Sequence, residues 1–146
     1  MWIFDLICYM GLFGLLIFMT RVRSLKRVRV RCGAVELPGV ILKCHMQLHT
    51  RIGLLNTPGL RIGDGLLLNG VCAIHTLGMH FPIDVLFLDE SARVLGWESG
   101  IVPGIKKVKG PPGTRSVLEL GSGTITQFFD MLKTYDQFEV TPWMNP

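Results

Sequence analysis

The chain has 146 residues, enough for one compact domain with a short extension, which excludes two full domains. Apolar residues make up 49% of the chain, a high share for a soluble protein of this size, and the excess lies at the N-terminus. The net charge of +4 is also uneven, because residues 32–146 carry nine Lys or Arg and ten Asp or Glu. Since nucleic-acid binding needs a basic face on the folded domain, this distribution argues against DNA or RNA as a partner.

Residues 1–20 are predicted to form a transmembrane helix. Asp5 is their single charged residue, and ten of the twenty are Leu, Ile or Phe. A helix of this length spans about 30 Å, the thickness of the hydrocarbon core of a bilayer. A cleaved signal peptide would begin with basic residues and end at small ones, whereas here Thr20 is followed by arginine. A buried core helix is the other alternative, and the cations that follow directly argue against it.

A basic juxtamembrane segment, residues 21–31, follows the predicted anchor and contains six cations. Cations next to a membrane span stay on the cytoplasmic side, so we expect the N-terminus outside and the domain in the cytoplasm. Four of these side chains are expected to contact anionic lipid headgroups. They are Arg21, Arg23, Lys26 and Arg27.

Small residues recur at three-residue spacing in the predicted anchor, at Cys8, Gly11 and Gly14. Such a flank lets a second membrane helix approach closely, which makes these residues candidates for helix packing. Glycines are also common in membrane helices without that role, so both interpretations stay open. The partners predicted from this segment are the lipid bilayer and other membrane protein subunits.

The cysteines give no disulfide or metal pattern. Cys32 stands alone, and a disulfide framework is not expected in a reduced compartment. Cys44, His45, His49 and Cys72 could be drawn together as a metal site, but their spacing matches no standard zinc motif. We therefore predict no metal and no cofactor.

The body of the chain is predicted to be mainly β. Alternating or apolar runs bounded by Gly, Pro and Asp predict short strands. These runs lie near residues 27–31, 66–68, 72–77, 83–88, 93–97, 115–120 and 138–140. Residues 89–91 are typical of a hairpin turn, and residues 100–114, rich in Gly and Pro, predict an irregular exposed loop.

Two short helices are predicted among these strands. One covers residues 40–55, and the other begins at Thr124, where Gln127 three residues later completes a capping box, and runs through Met131. The predicted fold is therefore a mainly β (α+β), compact β-barrel-like domain with two short helices, preceded by one transmembrane helix. The predicted segments are the anchor 1–20, the basic segment 21–31, the domain 32–141 and a tail 142–146.

Four sequence motifs carry a resemblance to a known family. They are R-x-G-L-L from Arg51, G-L-L-L from Gly65, H-T-x-G-M-x-F-P-I-D-V-x-F-L-D from His75, and R-S-V-L-E-L-x-x-G from Arg115. Together they resemble the DUF192 family, also called UPF0127, over about residues 40–140. The resemblance implies a small, mostly β fold with short helices and no established activity, and it supplies no catalytic residues.

Polar residues within these motifs are the candidate site. His75, Asp84, Glu119, Arg51 and Arg115 could form a cluster that binds a small ligand or performs acid–base chemistry if their strands adjoin. The alternative is structural, with the two carboxylates paired to the two arginines to fix strand register. The stretch 121–123 (Gly-Ser-Gly) resembles a phosphate-binding turn only weakly, and it is more typical of the turn before a capped helix.

The function predicted from the sequence is that of a non-catalytic, membrane-anchored accessory or scaffolding subunit of a larger membrane protein complex. In this interpretation the helix docks against other membrane helices and the domain against a partner. The alternative is a small-ligand-binding or enzymatic module that uses the His75, Asp84 and Glu119 cluster. No catalytic residues are assigned.

Overall fold

The computed structural model of the protein describes residues 26–44, 54, 58–129, 132–133 and 136–143. Within these residues the regular structure consists of ten β-strands and one short α-helix, which confirms the mainly β prediction. In chain order the elements are β1 (Lys26–Cys32), β2 (Val35–Glu36), β3 (Ile41–Cys44), β4 (Gly65–Asn69), β5 (Ala73–Ile74), β6 (Ile83–Leu88), β7 (Val94–Ile101), β8 (Val108–Lys109), β9 (Ser116–Gly121), α1 (Thr124–Phe128) and β10 (Phe138–Pro142).

Most of the strands form one large sheet in the order β10-β1-β3-β4-β9-β6-β7, with β2 added beside β1. Neighbouring strands are antiparallel except β3 and β4, which are parallel. A parallel pair needs a crossover connection, which the chain between Cys44 and Gly65 supplies. Strands β5 and β8 form a separate two-stranded ribbon.

The large sheet curls into a half-barrel, because its two edge strands meet at one corner. Strands β7 and β10 lie at opposite ends of the strand order. Nevertheless, the N–H of Val94 donates to the carbonyl of Asp136 at 2.8 Å, and the N–H of Phe138 donates to that of Ala92 at 2.9 Å. These bonds confirm the barrel-like character of the domain.

Two apolar cores cover the two faces of the sheet, because successive side chains of a strand point to opposite faces. The helix-side core includes Ile125 and Phe129 and is built from Val28, Val30, Leu37, Ile41, Leu67, Leu86, Leu88, Val94, Leu118, Leu120 and Phe138. The ribbon-side core includes Ile74 and Val108 and is built from Cys44, Leu54, Leu66, Leu68, Met79, Ile83, Val85, Phe87, Ile101 and Val117.

Strand β1 shows how a charged sequence forms a buried strand. Val28 and Val30 point into the helix-side core, while the intervening arginines point to solvent. There Arg31 pairs with Glu139 at 2.6 Å, and the Arg29 guanidinium lies 5.0 Å from the centre of the Trp143 ring. The alternation that we interpreted as the start of a strand is therefore confirmed, and the sheet extends into the segment predicted to be basic and juxtamembrane.

Several predicted elements differ from the structure. The helix predicted over residues 40–55 is wrong at its start, because residues 41–44 form strand β3 beside β1 and β4. The loop predicted over 100–114 contains the end of β7 and strand β8, and Val108 is buried there. The second helix ends at Phe128 instead of reaching Met131.

Part of the prediction falls outside the described residues. This holds for the anchor 1–20 with Cys8, Gly11 and Gly14, for Arg21 and Arg23, and for residues 45–53, which include His45, His49 and Arg51. No helix in the described part of the chain has the length and apolar character needed to cross a bilayer. Lys26 and Arg27, by contrast, are described and exposed at the start of β1.

Candidate functional site

Asp84 lies in the middle of the motif that begins at His75, and its side chain is fully buried on the helix-side face of β6. One carboxylate oxygen accepts the N–H of Gly100 at 2.8 Å, and the other accepts the N–H of Ile125 at 2.9 Å. The first bond lies where the pairing of β6 with β7 shifts register, and it gives the amide of Gly100 an acceptor there. The second gives an acceptor to an amide at the start of α1 that has no partner within the helix. Both oxygens of Asp84 are thus used by the backbone.

The start of α1 differs from the predicted capping box. The N-cap position is Gly123, which has a φ of 90° and no side chain to offer. Thr124 is the first helical residue, and its hydroxyl donates to the carbonyl of Gly121 and accepts the N–H of Gly63 at 3.0 Å. The capping-box prediction is therefore wrong, because Asp84 from a distant strand satisfies the helix amide instead.

Glu119 lies on the other face of the sheet. Its Cα neighbours are Leu66 on β4 and Val85 on β6, and its side chain points to the ribbon-side core. The residue is 3% exposed, and its Oε2 atom has no hydrogen-bond partner within the part of the chain that the structure describes. Burial among apolar side chains raises the pKa of Glu119 to about 8.

His75 directly follows the ribbon strand β5, whose last residue, Ile74, packs in the ribbon-side core. Its Nδ1 atom is buried with no hydrogen-bond partner among the described residues. Buried polar atoms without partners are uncommon in native proteins, so each one requires an explanation. The described part of the chain contains two of them, on Glu119 and His75.

The predicted five-residue cluster is not assembled as one site. Asp84 and Glu119 point to opposite faces of the sheet, and Arg115 is exposed just before β9. The proposed ion-paired arrangement differs as well, because in the described part of the chain Arg115 pairs with neither carboxylate. Arg51 lies outside the described residues.

Thr76 holds the loop after β7, a role that the sequence analysis did not identify although Thr76 lies in the motif that begins at His75. It is fully buried, and its hydroxyl donates to the carbonyl of Val102 at 2.8 Å and accepts the N–H of Ile105 at 2.9 Å. Its backbone N–H and carbonyl bond to Ile105 and Gly104. One side chain thus fixes the loop that follows β7. The available signal in the sequence was the position of this threonine directly after His75 in the motif.

The Cys44, His45, His49 and Cys72 set, which the sequence analysis did not favour as a metal site, is only partly described by the structure. Cys44 is buried in the ribbon-side core and Cys72 is exposed. In the described ranges no group of three His, Cys, Asp or Glu side chains is placed to hold a metal ion. His45 and His49 lie outside those ranges.

Two solved structures are similar to the fold. One is a protein from Sinorhizobium meliloti 1021, provisionally named a transcription regulator, with a TM-score of 0.63 and 20% identity over 80% of this chain and 94% of that one. The other is a protein of unknown function from Novosphingobium aromaticivorans DSM 12444, with a TM-score of 0.63 and 17% identity over 79% of this chain and 84% of that one. At such identities the likeness concerns the fold alone.

A family model gives the more specific result. No curated protein matches the chain. The model of DUF192, described as an "Uncharacterized ACR", matches residues 43–130, which is more than half of the chain and includes every motif that carried the resemblance. The chain therefore belongs to the DUF192 family.

Proposed function

We propose that the protein is a non-catalytic accessory subunit of a membrane protein complex. Residues 1–20 would hold it in the bilayer, and the half-barrel would lie on the cytoplasmic side and dock against a partner. The observation that carries this proposal is the uncharged run from Leu6 to Met19, followed directly by six cations in residues 21–31.

The geometry of the domain supports a scaffolding role. Asp84 and Glu119, the two carboxylates best placed for acid–base chemistry in the sequence, lie on opposite faces of the sheet. Asp84 satisfies two backbone amides, which is a structural task. The exposed Lys26 and Arg27 begin β1 where the chain arrives from the N-terminal segment, a suitable position for contact with lipid headgroups.

Extraction of the full-length protein from membranes tests the proposal. We expect the chain to stay with the membrane at high pH and to dissolve only in detergent, where native sizing should give a species well above 16.3 kDa with a co-purifying protein. A double variant, Leu12→Lys with Leu15→Lys, should move the chain to the supernatant, because two charges in the span cost roughly 5 to 7 kcal/mol. A monomer in detergent with no co-purifying protein would contradict the accessory role.

The alternative, a small-ligand-binding or enzymatic module, is favoured by one observation. The Oε2 atom of Glu119 and the Nδ1 atom of His75 are buried without partners in the described residues. A neutral carboxyl can both donate and accept a hydrogen bond, and a ligand amide would satisfy both capacities. Asp84 does not take part in this version of the site.

Replacing Glu119 separates the two candidates. Glu119→Gln keeps a donor and an acceptor, whereas Glu119→Leu removes both at similar volume. In ligand-observed NMR with a panel of small amides and amines, a ligand of this site should bind the wild type and Glu119→Gln and be lost in Glu119→Leu. Equal binding to all three chains, or to none, would reject Glu119 as a ligand-binding residue.

A further inference from the structure

A groove lies beside strand β7. Residues 98–102 border it on one side, and Ile105 with residues 107–109 borders it on the other. Strand β7 ends the strand order of the sheet and pairs with β6, and its outer edge bonds to Asp136 at Val94, at the end of the strand away from the groove. We call this feature the β7 groove. Beyond Val94, the outer edge of β7 has backbone groups that could pair with another strand.

Apolar side chains are exposed around this groove. Of the lining residues, Val102 is 57% exposed and Ile105 is 38% exposed, and Leu77, which follows Thr76, is 43% exposed. The hydrogen bonds of Thr76 to Val102, Gly104 and Ile105 place Leu77 beside this loop and hold the loop in one shape. An exposed apolar patch on a fixed loop is typical of a surface that binds another molecule.

The charge beside the groove is positive. Lys107 and Lys109 line it and Lys106 adjoins it, whereas Glu98 is the single acidic residue of the lining. The rest of the domain has no such excess, since residues 32–146 are close to neutral overall. A partner complementary to this surface is therefore acidic as well as apolar.

We propose that the β7 groove binds an extended segment of a partner subunit, with alternating acidic and apolar residues, as an additional strand on β7. Main-chain hydrogen bonds to β7 would supply affinity, and the apolar patch and the lysines would supply specificity. The inference rests on the proposed accessory function, for which it names the docking surface.

The strand register favours a protein over a lipid surface as the occupant. Ile101 lies opposite Ile83, at the end of the sheet that also contains Gly121 and Gly65. Strand β1 runs toward that end, because Lys26 pairs with Lys43, whereas Val28 two residues later pairs with Ile41, which is level with Gly65. The chain thus enters β1 from the side farther from Ile101, with Lys26 level with Trp97 and residues 99–102 of the groove lying beyond it.

A defined peptide tests the proposal on the full-length protein in mild detergent. The probe is a fluorescein-labelled octapeptide of alternating Asp and Val, with a Lys–Val octapeptide as the control ligand. We expect anisotropy to report binding of the acidic peptide only, and hydrogen exchange of residues 97–101 to slow when it binds. Lys107→Glu with Lys109→Glu should weaken binding about tenfold, while Arg93→Glu with Lys133→Glu, which changes the net charge equally, should leave it unchanged.

Three results would overturn the inference. The first is equal binding of both peptides, and the second is an equal loss of peptide affinity in both double variants. The third is binding to phosphatidylserine vesicles that depends on Lys107 and Lys109 while the acidic peptide does not bind.

A photo-crosslinker separates the docking surface from the accessory role. Adducts from position 102 that vanish in Lys107→Glu with Lys109→Glu support the groove. Adducts only from position 133 reject the groove and retain the accessory role, and adducts from neither position reject both.

Discussion

The carboxylate of Asp84 joins three elements that are distant in sequence. It lies on β6 and accepts the amide of Gly100 near the end of β7 and that of Ile125 in α1. Both acceptor oxygens are fully buried, so each amide would be left without a partner if the carboxylate were removed. The negative charge also lies at the positive end of the short helix.

We predict that Asp84→Asn destabilises the fold by about 2 to 4 kcal/mol, because one of the two backbone amides would then face an NH2 group instead of an oxygen. Urea denaturation would measure the loss. Asp89→Asn is the matched control. A single oxygen of Asp89 accepts the amides of Ser91 and Arg93, so asparagine can keep both bonds and should cost less than about 1 kcal/mol. Equal losses of stability in the two variants would show that the use of both Asp84 oxygens does not explain its contribution to the fold.

Glu119 makes the stability of the domain depend on pH. Burial raises its pKa from an ordinary value near 4.5 to about 8, so the folded state binds a proton that the unfolded state has released between these values. The free energy of unfolding should therefore fall as pH rises, by about 1.4 kcal/mol per pH unit, and level off above pH 8. Below pH 4.5 both states are protonated and the effect vanishes.

We predict that Glu119→Gln removes this slope and stabilises the domain at pH 7 by roughly 2 to 4 kcal/mol, since the amide carries no charge to bury. Chemical denaturation from pH 5 to pH 8 would test it. Glu98→Gln, at an exposed position on β7, should keep the slope of the wild type. A wild type whose stability does not change over this range would contradict the burial of a neutral Glu119.

At the scale of elements, the loop after β7 depends on Thr76. Its hydroxyl makes two of the bonds that hold residues 102–105, and both would be lost in Thr76→Val at almost unchanged volume. We expect the valine variant to be less stable by about 2 kcal/mol and to exchange the amide hydrogen of Ile105 faster. Thr76→Ser keeps the hydroxyl and should keep slow exchange at Ile105. Fast exchange in the serine variant as well would assign the effect to packing of the methyl group.

Elements with a clear period or a continuous apolar run were predictable from the sequence. Strand β1 was predictable from valines alternating with arginines, and β6 from a run of residues that are all buried in the structure. The segment 41–44 was not, because its apolar spacing also fits a helix. It becomes a strand because β1 and β4 lie on either side of it and satisfy its backbone. Such a preference comes from partners distant in sequence.

At the scale of the whole molecule, the register between strands decides what the candidate residues can do. The sequence places Asp84 and Glu119 on two buried strands, but the pairing of Asp84 with Leu120 sets them on opposite faces. A shift of one residue would have placed them on the same face. Register depends on the contacts of the complete sheet, so neither the split of the predicted cluster nor the helix contact of Asp84 was visible in the sequence.

The closure of the half-barrel rests on a small set of contacts between its two edge strands. Phe138 on β10 is 2% exposed, and its ring packs against Phe129, just after α1, with 5.3 Å between the ring centres. Its N–H also donates to Ala92 beside β7. The ring therefore connects the helix-side core to the corner where the two edges of the sheet meet.

We predict that Phe138→Ala costs about 3 to 5 kcal/mol and opens this corner before the rest of the sheet, because the cavity lies where few strands overlap. Hydrogen exchange should speed up at Val94 and Phe138 while the amides of β6 and β9 stay protected. Phe138→Leu, which refills most of the volume, should recover about half of the loss. If all amides of the sheet lost protection together, closure at the corner would be part of one cooperative core, and the half-barrel would not open from its edge.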